Sequence, residues 1–388
     1  MMRPIIAALA FLWPGAAAFA PAQGCALRAA AAMTRTAPAR AAATPPPSAR
    51  RRLVTTGLLA AALLPCERAL AETAGPMSGK TVVVTGANSG LGLAAARQVA
   101  KTGASVVLAV RDKARGEEAK RAVLASAAGA DVRVQILDLG DLKSVRAFAK
   151  RLADTPIDCL MCNAGVMAIP ERSTTADGFE RQFGVNHLGH FALAALLWPN
   201  LRKAAQKGGS RVVVVASDAH RRGTLDFADI QRAAPGAYKD CSTPLCPAYA
   251  TSKLANVVFA QELARRVPPG LDIAVSSVTP GLVNTALMRY ALPDLKTDVG
   301  SGDVPDRSKL ATLFDVQKFF MKDPDAASQA QVRLASDPAL NRASAGGKYF
   351  GADGKAVSPS AAALDPDAGA KLWDLSEELT GIRFDPAA

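Results

Sequence analysis

Short apolar runs rich in Val, Ile and Leu alternate along this chain with segments of helical hydrophobic periodicity. Five of the six runs lack apolar–polar alternation, which is typical of strands covered on both faces. The predicted strands are 81–85, 105–110, 132–137, 159–162, 211–216 and 273–278, and the predicted helices are 93–102, 114–127, 142–152, 176–201 and 249–267. This order predicts βαβ units and therefore one α/β domain, a doubly wound parallel sheet flanked by helices.

The first 75 residues differ in composition from the remainder. They contain eight Arg, no Lys and two acids, so they carry about half of the formal net charge of +12. The remainder holds no long basic run, and the sequence predicts no nucleic-acid partner. Both apolar runs of this leader are shorter than the roughly 18 residues that span a membrane. We therefore predict a targeting presequence over residues 1–75 and a domain over 76–388.

The leader resembles the bipartite plastid presequence of algae with secondary plastids. In that reading a signal peptide ends near Ala20-Pro21, and the basic, acid-free stretch 22–49 is the transit peptide. The second apolar run, 53–65, follows Arg50-Arg51-Arg52 and resembles a twin-arginine signal for the thylakoid lumen. A short membrane anchor or a buried helix is the alternative for this run. The expected location is the plastid, with stroma, thylakoid lumen and membrane association left open.

A glycine-rich turn separates the first predicted strand from the first predicted helix. Glycines at such a turn let the backbone approach a pyrophosphate, which the N–H groups of the helix N-terminus then attract. A tight strand-to-helix turn explains the same glycines structurally, so their position in the fold carries the argument. The turn predicts a Rossmann-type dinucleotide site that includes Gly86, Asn88, Ser89, Gly90, Leu91 and Gly92.

The end of the second predicted strand indicates which dinucleotide binds. NAD enzymes place an acid about 20 residues beyond the turn, where it binds the ribose 2′-hydroxyl. Here the strand ends Val110-Arg111-Asp112, and an Arg in this place favours a 2′-phosphate and hence NADP(H). A solvated surface charge is the alternative role for Arg111.

Further polar motifs follow the later predicted strands in order. Tyr249 and Lys253 share one face of a helix, where a Lys charge favours the phenolate and lowers a Tyr pKa from about 10. Ser217 ends the fifth strand, at the edge where open α/β sheets bind ligands. The remaining motifs are Asn163-Ala164-Gly165, Asn186 within 184–191, and Pro280-Gly281 with Asn284-Thr285.

Together these motifs resemble the short-chain dehydrogenase/reductase family over residues 79–290. Outside them, Thr175-Ala-Asp-Gly-Phe-Glu180, Asn186-His-Leu-Gly-His-Phe191, Gly347-Lys-Tyr-Phe350 and Lys371-Leu-Trp-Asp-Leu-Ser376 are similar to one branch. That branch holds retinol dehydrogenases, WW-domain oxidoreductases and the dehydrogenase-like subunit of the chloroplast inner-envelope translocon. The resemblance implies a catalytic set of Asn186, Ser217, Tyr249 and Lys253. It also implies cofactor contacts from Asp138, Leu139, Asn163, Ala164, Gly165, Tyr249, Lys253, Pro280, Gly281 and Thr285.

The resemblance also implies a mechanism, hydride transfer between a nicotinamide and a carbonyl or alcohol carbon. Tyr249 is expected to protonate the developing alkoxide, and Ser217 to donate a hydrogen bond to the same oxygen. Lys253 is expected to bind the nicotinamide ribose. Asn186 is expected to hold a water of the proton relay, and Thr285 to contact the carboxamide.

The irregular stretch 286–325 is the predicted determinant of substrate choice. It mixes Leu, Met, Tyr and Phe with Pro, Gly and Asp, and such a segment either folds over the cofactor as an apolar lid or completes the core. As a lid it implies a hydrophobic small-molecule substrate, such as a retinoid, terpenoid or pigment carbonyl. The oligomeric state stays open.

Two alternatives to this enzyme remain. Light-dependent protochlorophyllide reductase shares the motif around Asn186, but its members have other residues where Gly165 and Ala255 stand here. An NADP(H)-sensing regulatory subunit of a plastid complex needs only the cofactor half of the site. The intact set of Asn186, Ser217, Tyr249 and Lys253 favours the enzyme over the sensor.

The remaining candidate residues are interpreted structurally. His187 and His190 lack acidic or Cys partners at ligand spacing, so we predict packed helix residues and no metal site. Cys159 and Cys162 lie within a buried strand, which disfavours a redox pair. Cys241 and Cys246 are placed for a disulfide in an oxidising lumen.

Overall fold

One sheet of eight strands organises the computed structural model, which describes residues 75–239, 241, 246–283, 287 and 322–387. Its strands are β1 (Thr81–Thr85), β2 (Ser105–Val110), β3 (Val132–Ile136), β4 (Cys159–Cys162), β5 (Ser210–Val215), β6 (Ile273–Val278), β7 (Tyr349–Phe350) and β8 (Ala356–Val357). They lie in the order β3-β2-β1-β4-β5-β6-β7-β8. All neighbouring strands run parallel except β7 and β8, which pair antiparallel.

Helices connect the strands and cover both faces of the sheet. In chain order they are α1 (Gly90–Lys101), α2 (Lys113–Ser126), α3 (Leu142–Arg151), α4 (Arg181–Phe183), α5 (Gly189–Ala205), α6 (Pro247–Arg266), α7 (Pro324–Ser336), α8 (Arg342–Ala345), α9 (Ala361–Leu364) and α10 (Pro366–Thr380). A π-helical turn, Gly184–Leu188, joins α4 to α5, and a 3₁₀ turn, Asp218–Arg222, follows β5.

The strands form because their side chains enter a core on each face of the sheet. Val83 packs into the core that contains residues of α3, α5, α6 and α10. Its neighbours Val82 and Val84 point to the other face, into the core with residues of α1, α2 and α7. All three side chains are fully buried, as expected for a parallel sheet covered on both sides.

The strand order reverses between β1 and β4. From β1 the chain first adds β2 and β3 on one side, and then returns to place β4 on the other. In open α/β sheets the crevice at such a switch point, outside the carboxyl ends of the strands, binds the ligand. The residues that follow β1 and β4 therefore form the floor of the expected site.

The C-terminal helix α10 packs against the helix that carries Tyr249. Trp373 of α10 lies 5.2 Å from Phe191 and 6.1 Å from Phe259, measured between ring centroids. The guanidinium of Arg266, at the end of α6, lies 4.4 Å from the centre of the Trp373 ring, which is cation–π distance. This aromatic contact fixes α6 from the side opposite the sheet.

The predicted Rossmann-type α/β domain is confirmed, and its predicted strands agree with the observed ones to within a residue or so at their ends. The predicted helix 176–201 is wrong in its start and its continuity. It begins at Arg181, where Glu180 caps it, and it is interrupted by the π-helical turn. The predicted presequence, except Gly75, and most of the predicted lid 286–325 lie outside the described residues. Among the residues that the structure describes, no helix combines the length and apolar character needed to cross a bilayer.

Candidate active site

The turn between β1 and α1 is in contact with the end of β4. Gly86 has a φ of +67°, and a Cβ placed there would lie 2.9 Å from the Cα of Ala164. A Cβ on Gly92 would lie 2.5 Å from both the carbonyl oxygen of Gly86 and the Nδ2 of Asn163. Real Cβ atoms do not approach so closely, so these two positions accept only glycine without a shift of the backbone. We call residues 85–92 the cofactor turn.

The N-terminus of α1 has no side-chain cap. Ser89 precedes the helix in an extended conformation, and its side chain accepts no hydrogen bond from the first turn. By contrast, the carboxylates of Asp112 and Asp141 cap α2 and α3, where they accept from backbone N–H groups. The open end of α1 suits an anionic ligand, because the free N–H groups and the helix dipole both favour negative charge.

Asn163 joins the cofactor turn to the end of β4. Its Nδ2 donates to the carbonyl oxygen of Thr85 at 2.9 Å, while its Oδ1 is buried without a hydrogen-bond partner among the described residues. Buried polar atoms in proteins are nearly always paired, so this oxygen indicates a place where a ligand group belongs. The glycine cradle, the open helix end and this oxygen together fit a dinucleotide.

The other predicted cofactor residues lie around the same crevice. The Gly86 N–H donates to the Ala109 carbonyl oxygen at 2.9 Å, which brings the end of β2 and the adjacent Arg111 to the cofactor turn. Arg111 is exposed and forms no ion pair within the described part of the chain. Asp138 and Leu139 follow β3, where Asp138 Oδ1 accepts from the Gly140 N–H at 2.8 Å. Pro280 and Gly281 follow β6, whereas Thr285 lies outside the described residues.

Tyr249 and Lys253 lie on the first two turns of α6 and are both almost fully buried. The Lys253 Nζ lies 5.7 Å from the centre of the Tyr249 ring and donates to the carbonyl oxygen of Val215 at 3.0 Å. Ser217 makes a side-chain hydrogen bond with Tyr249, which brings the end of β5 to the same point. The structure therefore brings together the predicted Ser217, Tyr249 and Lys253.

Burial controls the ionisation of this group. It raises the pKa of Tyr249 to about 12, although the hydrogen bond with Ser217 acts in the opposite direction. It lowers the pKa of Lys253 to about 8, because the charged ammonium is removed from water. The sequence predicted a lowered pKa for Tyr249. In the structure of the protein alone this pKa is raised, so that prediction is wrong. Tyr249 is a neutral acid here, which is the form that donates a proton.

Asn186 lies in the π-helical turn, and its side chain is already fully engaged. Its Oδ1 accepts from the Val166 N–H at 2.8 Å, and its Nδ2 donates to the Val166 carbonyl oxygen and the Ser252 Oγ, both at 2.9 Å. These bonds hold the segment after β4 against α6. π-Helical turns occur frequently at functional sites. The side chain of Asn186 thus acts as a brace between two parts of the site.

An apolar wall surrounds the Tyr249 ring. Its buried members are Met167, Ala168, Ala219, Cys241, Cys246, Ala248, Tyr249 and Ala250, and the partly buried Tyr238 and Leu287 pack against them. The predicted pairing of Cys241 with Cys246 is present as a disulfide, directly before α6. Cys159 and Cys162 are free and buried in β4, and burial raises the pKa of Cys159 to about 12.

Sequence reasoning missed three residues that hold this site together. The Thr85 Oγ accepts from the N–H groups of Asn163 and Ala164, both at 2.9 Å. His220 donates from Nδ1 to the Ser217 carbonyl oxygen at 2.7 Å, while its Nε2 accepts from the Ser360 N–H. His190 connects Thr85 to Asn186. The sequence contains no signal for these contacts beyond the polar residue type at each position.

Comparisons with known proteins agree with this geometry. A family model described as short chain dehydrogenase matches residues 80–228. Retinol dehydrogenase 14 of Mus musculus is 39% identical over 321 residues, which cover 79% of this chain and 88% of the mouse protein. Retinol dehydrogenase 12 of Homo sapiens is 38% identical over 311 residues, which cover 80% of this chain and 89% of the human protein.

Solved structures share the architecture. An uncharacterized protein of Mycobacterium paratuberculosis is 35% identical with a TM-score of 0.59, and the match covers 81% of this chain and 98% of that protein. L-Sorbose reductase of Gluconobacter frateurii, solved with NADPH and L-sorbose, is 24% identical with a TM-score of 0.54, covering 73% of this chain and 97% of the reductase. The second likeness is one of fold.

Proposed function

Because the chain belongs to the short-chain dehydrogenase family and is an oxidoreductase of alcohol and carbonyl groups, we propose that it uses NADP(H) and acts on an apolar small molecule. The arrangement of Ser217, Tyr249 and Lys253 beside the cofactor turn carries this proposal. Tyr249 and Lys253 are buried, Ser217 is half-buried and hydrogen-bonded to Tyr249, and the group lies at the switch point of the sheet. A protein that only senses a dinucleotide has no need of such an acid.

The cofactor half of the site supports a nicotinamide dinucleotide, which when bound supplies or accepts the hydride. The N–H groups at the start of α1 and the glycines of the cofactor turn would hold its phosphates. Arg111 supports NADP(H) over NAD(H), because its guanidinium is exposed beside the cofactor turn, forms no ion pair with any residue that the structure describes, and so suits a 2′-phosphate. Lys253 would hold the nicotinamide ribose.

The residues of the chain provide the acid–base chemistry. Tyr249 donates its phenolic proton to the carbonyl oxygen during reduction, and takes a proton from the alcohol during oxidation. The Ser217 hydroxyl donates a hydrogen bond to the same oxygen and so stabilises its developing charge. Lys253 enters as a cation below its pKa of about 8, and its charge stabilises the phenolate once the proton has left. Burial excludes water from these groups, which strengthens each interaction.

The apolar wall supports a hydrophobic substrate. Met167, Ala168 and Tyr238 present carbon surface next to the ring of Tyr249, and Leu287 extends this surface into the predicted lid. Ligand pockets of this kind gain affinity from apolar lining and orientation from a few polar groups. The relatives named retinol dehydrogenases also favour a long apolar alcohol or aldehyde, of which retinal is the first to test.

Turnover by the purified protein tests this function. We expect loss of NADPH absorbance with retinal and with long apolar aldehydes, and much slower turnover with short polar ones. The matched control is Tyr249→Phe, which keeps the ring in the apolar wall and removes only the acid. Equal rates for the two proteins, with NADPH bound tightly by both, would contradict the enzyme.

We also propose that the protein is delivered to a plastid and that its leader is removed near residue 75. The composition of the first 75 residues supports delivery, and the Cys241–Cys246 disulfide supports an oxidising compartment. N-terminal sequencing of the protein isolated from its own cells measures where processing stops. A mature protein that begins at Met1 would contradict the cleavage.

A further inference from the structure

A line of hydrogen bonds runs from the cofactor turn through His190 to Asn186. The Nε2 of His190 lies 2.9 Å from the Oγ of Thr85, and the Nδ1 of the same ring lies 2.9 Å from the carbonyl oxygen of Asn186. Thr85 is completely buried, and His190 and Asn186 are buried almost as fully. His190 therefore connects the end of β1 to the π-helical turn through one ring.

The chemistry of the partners fixes the proton positions along this line. A carbonyl oxygen only accepts, so the Nδ1 of His190 carries the hydrogen and donates it to Asn186. Burial lowers the pKa of His190 to about 4, and the ring is neutral, which leaves Nε2 as an acceptor. The Thr85 hydroxyl lies 2.9 Å from Nε2 and 3.3 Å from the Met161 carbonyl oxygen, and the shorter contact makes Nε2 the main acceptor of its proton. Its oxygen accepts from the Asn163 and Ala164 N–H groups, so the donor and both lone pairs of this hydroxyl are used.

The line continues beyond Asn186 to the helix that carries Tyr249. The Nδ2 of Asn186 donates to the Oγ of Ser252 at 2.9 Å. The Ser252 hydroxyl in turn donates to the carbonyl oxygen of Tyr249 at 2.8 Å. The first three bonds join the cofactor turn to α5, α5 to the π-helical turn and the π-helical turn to α6, and the last lies within the first turns of α6. A displacement at one end therefore strains a hydrogen bond at the next.

We propose that His190 is a positioning residue that couples occupancy of the cofactor turn to the placement of Asn186 and Tyr249. This inference rests on the proposed function, because it assumes that the turn binds NADP(H). A dinucleotide held by the cofactor turn and by Asn163 restrains Thr85 from both sides. Through His190 that restraint reaches the π-helical turn, where it orders the site for the acid–base step. His190 is thus a packed helix residue, as the sequence predicted, and in addition has this positioning role.

Two substitutions at this position separate the two bonds of the ring. In His190→Asn the amide nitrogen occupies the place of Nδ1, so it still reaches the Asn186 carbonyl but not Thr85. In His190→Gln the amide oxygen occupies the place of Nε2, so it still accepts from Thr85 but leaves the Asn186 carbonyl. Thr85→Val removes the hydroxyl with little change of shape, and Thr85→Ser is its matched control because it retains the hydroxyl.

Hydrogen exchange of the full chain, with and without NADPH, is the first measurement. In the unmodified protein we expect NADPH to slow exchange at the cofactor turn and also at residues 184–191 and the start of α6. In His190→Asn and His190→Gln the slowing at the cofactor turn persists, while that at 184–191 falls about five- to tenfold, the scale of one hydrogen bond. Thr85→Ser behaves as the unmodified protein.

Kinetics give the second measurement. Either substitution of His190 is expected to lower kcat about tenfold, with the KM for the aldehyde and the Kd for NADPH within about twofold. When Thr85→Val is already present, adding His190→Asn is expected to lower kcat by less than about twofold, because the bond between the two residues is already lost. A residue that only stabilised the fold would move the urea midpoint and leave this kcat and KM pattern unaffected.

The outcomes separate the two proposals. The positioning role would be overturned if both His190 variants kept the kcat of the unmodified protein and the slowing of exchange by NADPH at residues 184–191. Additive losses of kcat in the double variant of Thr85→Val and His190→Asn would also overturn it. Loss of protection throughout the sheet would overturn it too, in favour of a purely structural histidine. The unmodified protein could reduce no carbonyl while NADPH still slows exchange at residues 184–191, with this slowing lost in His190→Asn. In that case the positioning role stands and the proposed enzyme function fails.

Discussion

The two halves of the site are built in opposite ways. The cofactor half consists of backbone and space: Gly86 and Gly92 have no room for a Cβ, and the end of α1 is left open. The catalytic half consists of polar side chains that are buried, or half-buried in the case of Ser217, and those of Asn186 and Lys253 have named partners. The first half is therefore damaged by adding an atom, whereas the second is damaged by removing one.

This difference has an energetic cause. A dinucleotide brings its own charges, so the protein must supply N–H groups and close approach of the backbone, and side chains would only obstruct it. A carbonyl substrate brings one weak acceptor, so the protein must supply the proton and the donor itself. Burying those groups is costly unless each is hydrogen-bonded, which explains the dense pairing around Lys253 and Asn186.

The largest effect is expected from removing one donor in the catalytic half. Ser217→Ala should lower kcat by about 10²- to 10³-fold, because the developing alkoxide loses a preorganised hydrogen bond. The Kd for NADPH should stay unchanged, because the cofactor turn is not touched. Steady-state kinetics and NADPH fluorescence titration measure the two quantities.

Ser210→Ala is the control for this substitution. Ser210 begins the same strand, β5, and its buried hydroxyl has no hydrogen-bond partner among the described residues. The control removes a buried hydroxyl at a distance from Tyr249, so kcat should remain near that of the unmodified protein. Equal losses in Ser210→Ala and Ser217→Ala would show that packing of the strand, rather than the hydroxyl, is responsible.

The contrast also explains what the sequence could predict. Strands such as β2 were predicted to the residue because β-branched runs buried on both faces leave a strong pattern. The glycines of the cofactor turn were predicted because backbone requirements appear directly as residue type. β7 and β8 were missed, since two-residue strands have no periodicity to detect. The break of the helix at the π-helical turn was missed because Val185 and Leu188 continue the helical spacing of apolar residues through it.

Adding one methyl group in the cofactor half should produce the next largest effect. Gly86→Ala would place a Cβ 2.9 Å from the Cα of Ala164, so the end of β4 must move away from the cofactor turn. We expect the Kd for NADPH to rise about 10- to 100-fold, in line with 1–3 kcal/mol for overpacking. Fluorescence titration with NADPH measures this change.

Gly129→Ala separates the clash from the backbone strain. Gly129 has a φ of +78°, close to that of Gly86, but nothing lies within 4 Å of its Cβ position. Both substitutions cost about 1–2 kcal/mol of stability for a left-handed conformation, which urea unfolding measures. Only Gly86→Ala should weaken NADPH binding. Equal binding by the two variants would mean that the turn is not shaped by the approach of the ligand.

The side chains that organise the catalytic half were the least predictable. His190 was interpreted as a packed residue, which its burial agrees with, yet both of its ring nitrogens are hydrogen-bonded. Its partners lie 105 and 4 residues away in the chain, and the longer separation leaves no local pattern. The catalytic set was predicted only through motif resemblance. Its members converge because the carboxyl ends of parallel strands meet at one edge, which is a property of the fold.

A smaller effect is expected where the cofactor half uses a side chain. Arg111→Ala should reduce the preference for NADPH over NADH about tenfold, because an exposed guanidinium loses its bond to a 2′-phosphate. Arg121→Ala removes the same charge from the surface of α2 and should leave the preference unchanged. The ratio of kcat/KM for the two dinucleotides measures it. A preference for NADH in the unmodified protein would contradict the role of Arg111.

The smallest expected effect is a difference between the two halves of the site in their response to lower pH. Burial lowers the pKa of His187 to about 3, and its ring packs against Phe183 at 5.1 Å. The folded protein therefore keeps His187 neutral while the unfolded chain, with a pKa near 6.5, takes up a proton, so stability is lost as the pH falls from about 6.5 toward 3. Between pH 6 and 5 this amounts to about 1 kcal/mol, and His187→Phe should remove that part of the slope in urea unfolding. NADH lacks the 2′-phosphate, which titrates at about pH 6, so its binding should stay constant over the same interval, because the backbone N–H groups of the cofactor turn do not titrate. An unchanged slope in His187→Phe would mean that the ring is protonated in the folded protein, and that the catalytic half tolerates a buried charge.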